Sequence, residues 1–547
     1  MTETFNLQAH RDRIRRQGWW QDRTFDDLLA DAVQHFPEKV AVRAYRHDHG
    51  HDAPVRSMTF AELEAAVAQA AGAFRALGIG PGDVVGVQLP NWWEFEVAVL
   101  ALNRIGAVPN PLMHIFRERE LRYMLGFADA RAVLIPQSFR GHDFPAMLAG
   151  LRAELPALQH VIVVDGNGPD SFDSLIMSAD AAPIPAGAGT PAAPDEMSVL
   201  MYTSGTTGEP KGVMHCANTM NACVAALGSR LGLRSEDVHL GATPFGHMTG
   251  YTAVMVQALK YGGTVVLMDV WDAAAGVGIM QREGVTHMAA STAFLSDICG
   301  QVRAGARPPV LRTFLCGGAQ IPPAVIEEAR ALLGLGVSSL WGMTEGLAGS
   351  LTEPERAAEK SASTDGRAVD GVELLVADEH LNPLPVGKTG RLYFRGSLQF
   401  LGYFKRPGLC GRGPDGWFDT GDLAYMDAEG YIRIDGRTKD IIIRGGENVP
   451  VVEIEAVLYR HPRIADAAVV GYPDPRLGER GCAVITLRNA DEGFTMPDLC
   501  DWMATNGVAR QYWPEAIEII DAMPRTPNGK IKKPDLRPLA AKHSVAQ

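Results

Sequence analysis

Helical and strand signals alternate through the first two thirds of this 547-residue chain, and that alternation confines it to layered α/β architectures. Residues 60–77 carry Ala and Leu at helical spacing and stop at Gly78, and residues 84–89 read as a strand. Residues 91–105 form a helix whose apolar face bears Trp92, Phe95 and Val99, most simply as core. Residues 132–135, 161–164, 198–201 and 265–268 are short apolar runs of the kind buried strands show.

Two shifts in pattern divide the chain. Residues 179–195 are rich in Ala, Pro and Gly without periodicity, which predicts a surface linker. From Asp422 the pattern becomes half-buried alternation: Leu423 and Tyr425, a turn over 427–430, then Tyr431, Ile432 and Ile434, a β-hairpin. The segment after it has helix and strand signals of its own. The predicted fold is a large α/β N-terminal domain of layered sheets and helices, residues 1–438, plus a small mobile α+β C-terminal domain, residues 439–547.

Length and composition bound the function. The chain exceeds one hydrophobic core, and about three to four folding units are expected. A net charge of -13 argues against nonspecific nucleic-acid binding, which needs clustered Lys and Arg. The seven cysteines are scattered, with no zinc-type spacing, and fit a reducing compartment. Arg11, Arg13, Arg15 and Arg16 are followed by no apolar core, so no secretory signal is expected. No run approaches the roughly 18 apolar residues of a membrane span. The expectation is a cytoplasmic protein without a transmembrane segment; its oligomeric state stays open, a homodimer included.

The chemistry begins at TSGTTGEPKG, residues 203–212. Hydroxyls at Thr203, Ser204, Thr206 and Thr207, permissive backbone at Gly205, Gly208 and Gly212, and the Lys211 cation make a phosphate cradle. A Ser/Gly/Thr-rich surface linker is the plainer alternative, but Lys211 framed by glycines directly after a strand favours the cradle. It is not a Walker A loop, because Gly-Lys is not followed by Ser or Thr. A second segment, Trp341, Gly342, Met343, Thr344 and Glu345, combines an aromatic plate for adenine, a hydroxyl for phosphate and a carboxylate suited to Mg²⁺.

With these two segments, PFGHMTG at 244, GGAQIP at 317, GWFDTGDLA at 416, GRTKDIIIRGGENV at 436 and PRTPNGKIKK at 524 run in order along the whole chain. In this it resembles the adenylate-forming superfamily, in particular the acyl-CoA synthetase branch. The resemblance implies ATP, Mg²⁺ and coenzyme A as cofactors, with the reaction running through an acyl-AMP. It implies that Asp422 binds the ribose hydroxyls with Arg437 beside it, and that Gly318, Ala319 and Gln320 line the adenine pocket. Trp341 stands where the family more often has Tyr, keeping a stacking face and losing a phenol. Glu345 would hold the metal and Thr344 would donate to a phosphate oxygen, while His247 either gates the pantetheine path, packs against the substrate carboxylate or is a hydrogen-bonded structural histidine.

Lys530 is the residue expected to carry the first step. A carboxylate and the α-phosphate of ATP repel one another, and an ammonium between them lowers that barrier. Outside its motif, beside Lys532 and Lys533, it would read as part of a solvated basic tail. By resemblance Lys439 is the hinge about which the small domain turns, and Gly445 and Gly446 then face the pantetheine path.

The acyl pocket is expected around His247, Met248, Gly250, Tyr251, Phe294, Cys316 and Gly317, although core packing is the default for Phe294 and Cys316. No Lys or Arg stands among them, which argues for an apolar acyl body. The segments GGENV and NWWEFEVAVLALNRIGAVPNPLMHIFRERE are similar to those of ligases for medium-chain, carbocyclic or aromatic acids, and the second is most similar to cyclohexanecarboxylate–CoA ligases. The reading is thus a carboxylic acid:CoA ligase. Its rivals are an adenylating enzyme that loads a carrier protein and a noncatalytic nucleotide-binding protein.

Overall fold

The computed structural model describes residues 5–178, 180–203, 210–318, 321–437, 442–444, 447–474, 476–526 and 530–544. Six parallel strands form the centre of its largest sheet, in the order Val337–Met343, Thr313–Gly317, His287–Ala290, Val238–Gly241, Thr264–Met268 and Val40–Tyr45. Antiparallel strands close both edges and bring the sheet to nine strands. A second, four-stranded parallel sheet is built from Val84–Val87, Val108–Pro111, Ala132–Pro136 and His160–Val164.

The helices Phe60–Ala76 and Trp93–Arg104 share one apolar core with both sheets. Thr59 starts the first of them with a capping box: its hydroxyl accepts from Glu62 N at 3.2 Å and the Glu62 carboxylate accepts from Thr59 N at 2.8 Å. It ends where Gly78 takes φ +78°, as the sequence predicts to within a residue or two.

Trp93–Arg104 is buried from Glu94 onward, charges included. Arg104 donates to Asp26 at 2.6 Å and to both carboxylate oxygens of Glu64 at 2.6 and 3.0 Å. Removing one member of such a buried group costs about 3–5 kcal/mol, because its partners stay buried and unpaired. The expected surface linker has neither helix nor strand over 180–195, and it is bonded to the helices beneath it. Arg104 also donates to Ile184 O at 3.1 Å, Thr190 N donates to Arg104 O at 2.9 Å, and Ile184 N donates to Ala68 O at 2.9 Å. Residues 180–195 are a strap bonded across the buried helices.

The large sheet separates two cores by the alternation of strand side chains. Leu315 and Ala289 face the core shared with the second sheet, whereas Phe314, Cys316, Met288 and Ala290 face a core packed by Ile279, Leu295 and Ile326. A four-stranded antiparallel sheet follows, containing the expected hairpin: Phe418–Met426 pairs with Ile432–Arg437. Sheet membership then changes. Ile442–Arg444 joins the C-terminal sheet with Glu447–Val449, Gly478–Leu487, Ile464–Asp474 and Ala516–Ile519, covered on its two faces by separate apolar clusters. No helix among the described residues is long and apolar enough to cross a membrane.

Several histidines are buried in the neutral form. Burial pushes His287 and His215 down to about 4, and His239, whose ring centroid is 4.9 Å from that of His287, well below its ordinary value. Unfolded histidine titrates near 6.5. Between pH 6.5 and 4 the unfolded chain therefore binds more protons, so the stability present above pH 6.5 is lost as pH falls, by on the order of 3 kcal/mol per histidine at most. Melting curves should show Tm falling from pH 7 to pH 5, with a smaller fall in His239→Leu; a flat profile, or the same fall in the variant, would contradict this.

Candidate active site

Strand pairing brings the phosphate loop to the site in an unexpected way. The apolar run before it reads from sequence as the kind of strand whose end binds ligands in parallel sheets. Met197–Thr203 instead pairs antiparallel with Lys211–Cys216, with Thr203 opposite Lys211, so the strands on either side of the loop are neighbours in one sheet. On the other side of Lys211–Cys216 lies the short strand Gly402–Tyr403, in register Val213 to Tyr403, fixed by Leu401 N to Met214 O and Phe404 N to Gly212 O, both 2.8 Å. This register lays the Lys211 ammonium over the Tyr403 ring, 4.7 Å from its centroid.

Val337–Met343 carries the first three residues of the Trp341–Glu345 segment. The chain turns at Thr344–Gly346 and returns as Leu347–Leu351; a Cβ at Gly342 would stand 2.1 Å from Leu347 O, so only glycine fits there. Thr344 O accepts from His215 Nε2 at 2.7 Å, which fixes the proton on that nitrogen because a carbonyl can only accept. Glu345 O accepts from Phe400 N at 2.8 Å, and the Glu345 carboxylate accepts from the Tyr403 hydroxyl at 2.7 Å. Glu345 is 7% exposed and has no cationic partner among the described residues.

The indole recovers a polar contact that the loss of a phenol removes. Trp341 Nε1 donates to Asp422 Oδ2 at 2.8 Å, with both side chains buried. Asp422 lies directly opposite Arg437 in the hairpin register. Nearby Asp365 is pushed up first by burial and also by the Asp422 charge, with Arg433 opposing. Room for the indole comes from Gly349 on the returning strand, where a Cβ would stand 2.1 Å from Cζ3 of the ring.

Lys530 reaches this site from the C-terminal domain. Its Cε is 3.2 Å from the point a Gly318 Cβ would occupy, and Gly318 has φ +90°. Burial, with a smaller contribution from the Lys530 charge, pushes His247 down to about 4. The Lys530 amide donates to Thr526 Oγ1 at 3.0 Å, and Lys530 O accepts from Thr526 N at 2.6 Å.

The structure brings together Lys211, Thr344 and Glu345 in one group, Trp341 with Asp422 in a second, and Lys530 with Gly318 and His247 in a third. The acyl-pocket residues divide. Met248 and Tyr251 pack into the core shared with the second sheet. Phe294 instead packs on Trp271, ring centroids 4.9 Å apart, and Cys316 lies in the opposite core with its thiol pushed up by burial to about 12. Cys316 is therefore a core residue on the far side of the large sheet and the partly buried Phe294 packs against that same core, which separates both from Tyr251. Gly250 is a packing glycine: a Cβ would stand 2.4 Å from Pro244 O. Ser204, Gly205, Thr206, Thr207, Gly208, Ala319, Gln320, Lys439, Gly445 and Gly446 lie outside the described residues, as does the Arg437 side chain.

Two contributors escape sequence reading, His215 and Tyr403. The period of two along Lys211, Val213 and His215 was the available signal for the first. Nothing local marks the second, whose importance arises from pairing with a strand far away in sequence.

A lysine-bearing glycine-rich hairpin, a buried carboxylate beside it, an aromatic ring tied to a second carboxylate and a lysine delivered by a separate domain define an adenylate-forming enzyme. Residues 29–404 match the AMP-binding enzyme family and residues 453–530 its C-terminal domain, so the chain belongs to this family, in the acyl-CoA synthetase branch. It is 36% identical over 539 residues to the medium-chain fatty-acid–CoA ligase of Escherichia coli (strain K12), covering 97% of this chain and 93% of that protein. It is 33% identical over 528 residues to the 3-[(3aS,4S,7aS)-7a-methyl-1,5-dioxo-octahydro-1H-inden-4-yl]propanoyl:CoA ligase of Mycobacterium tuberculosis, covering 94% and 99%. Among solved structures it is similar to ATP-bound MatB from Rhodopseudomonas palustris, with a TM-score of 0.82 and 26% identity, covering 95% of this chain and 99% of that one. The protein is an adenylate-forming acid:CoA ligase that uses ATP, Mg²⁺ and CoA.

Proposed function

We propose that the acid is aliphatic, alicyclic of the cyclohexanecarboxylate type or medium-chain, and that the site residues divide the work as follows. Lys211 and the hydroxyls of residues 203–207 hold the ATP phosphates, the Trp341 ring holds adenine, and Asp422 holds the ribose. Glu345 fits Mg²⁺: it is a hard oxygen donor, buried, bonded to a neutral phenol and uncancelled by an ion pair among the described residues. The ion supplies charge neutralisation at the phosphates.

Lys530 lies between the acid and the α-phosphate. Its ammonium lowers the repulsion as a carboxylate oxygen attacks the α-phosphorus, the bond to the β-phosphate breaks, and pyrophosphate leaves. His247 stays neutral beside this cation, so it adds no second charge. The small domain then turns about Lys439, and the CoA sulfur, passing Gly445 and Gly446, attacks the acyl carbonyl and expels AMP.

What supports the choice of acid is that the residues expected to form the pocket and described here, His247, Met248, Gly250 and Tyr251, include neither Lys nor Arg. The names of the two relatives, one a medium-chain and one an alicyclic acid ligase, support the same class. A panel of alicyclic, aromatic and linear acids assayed for AMP release, with free CoA as sole acceptor, should give the highest kcat/KM with a cyclohexanecarboxylate-like or medium-chain acid. Preference for an aromatic acid would overturn the choice of acid, and acyl-AMP that stalls with CoA present would favour a carrier-protein acceptor.

A further inference from the structure

We propose that Tyr403 is a positioning residue that locks the phosphate-binding lysine and the metal-binding carboxylate into one unit. The inference rests on the reading of Lys211 and Glu345 given above and goes beyond it. Tyr403 is 4% exposed, and its two ends do different things. The hydroxyl donates to Glu345 Oε1 at 2.7 Å, and the ring face carries the Lys211 ammonium at 4.7 Å.

The hold on Glu345 is made at several points. Phe400 N fixes its carbonyl and His215 fixes the Thr344 carbonyl, so the backbone is set before the side chain is aimed. Tyr403 then takes one carboxylate oxygen with a neutral donor, leaving the negative charge for a cation. A lysine bonded directly to that carboxylate would cancel it. Seated on the ring instead, Lys211 is held by the π face, and its three donors remain for phosphate oxygens. Tyr403 thus spaces two opposite charges that would otherwise collapse into an ion pair, and the antiparallel register of Gly402–Tyr403 on Lys211–Cys216 makes the spacing rigid.

The test measures binding. Mn²⁺ binding to the full-length chain, followed by electron paramagnetic resonance with α,β-methylene ATP present, is compared in wild type, Tyr403→Phe, Tyr403→Leu and Glu345→Gln, each shown to be folded by its melting curve. Tyr403→Phe keeps the ring and should weaken Mn²⁺ by about tenfold, with nucleotide affinity at saturating metal within about threefold of wild type. Tyr403→Leu removes ring and hydroxyl and should weaken both. Either folded variant that leaves both affinities within about twofold of wild type overturns the proposal; if the phenylalanine variant does not fold, the leucine variant decides. Weak Mn²⁺ binding in Glu345→Gln together with unchanged binding in Tyr403→Phe refutes Tyr403 alone, whereas unchanged binding in Glu345→Gln refutes the reading of Glu345.

Discussion

Lys530→Ala is expected to lower the overall rate of acyl-CoA formation by about 10³-fold while leaving Tm within about 2 °C of wild type. Two unit charges about 4 Å apart interact by roughly 4 kcal/mol at the effective dielectric of a partly wet protein site, which is about three decades in rate. Lys530 is only partly buried, and the backbone of its turn is held through Thr526 and the pairing of Arg525 with Ile531, contacts that alanine preserves. Steady-state turnover with CoA present, beside a melting curve, checks both halves. A fall of less than about tenfold would mean that the repulsion is relieved elsewhere, and a large fall in Tm would mean that the lysine is structural.

Gly349→Val should act on nucleotide binding through one ring. A side chain there enters space occupied by the six-membered part of the Trp341 indole, and the obstruction is a bulky ring braced by the strand behind it. The ring must move, and Nε1 leaves Asp422. Losing a buried hydrogen bond to a carboxylate, about 1.5–3 kcal/mol, should raise KM for ATP by roughly 10–100-fold, with a smaller change in kcat. Trp341→Phe in the Gly349→Val background removes the colliding atoms and should restore stability but not ATP affinity. A double variant no more stable than Gly349→Val would place the damage outside this contact.

What the sequence discloses and what it withholds separate along physical lines. Periodicity locates the helix Phe60–Ala76 and the hairpin ending in Ile432–Arg437 because their signals are local. It says nothing of which strands pair, and so it misses that the strands flanking the phosphate loop pair antiparallel with each other and that Tyr403 lies across from Val213. The apolar run of Thr313–Gly317 identifies a strand but leaves each residue's face undecided, so sequence alone cannot separate Cys316 from Tyr251 on the other side of the sheet. The strap over 180–195 has a linker's composition because its anchor, Arg104, supplies the bonding from a distant helix. Contacts such as Trp341 with Asp422 join residues 81 positions apart, and only the folded register reveals them.

The most direct test of the account is to time the two half-reactions separately in Lys530→Ala. Pyrophosphate release from ATP and acid should fall by about 10³-fold, while CoA attack on supplied acyl-AMP should proceed within about threefold of wild type. Equal losses in both half-reactions would contradict the claim that this lysine serves the meeting of two anions.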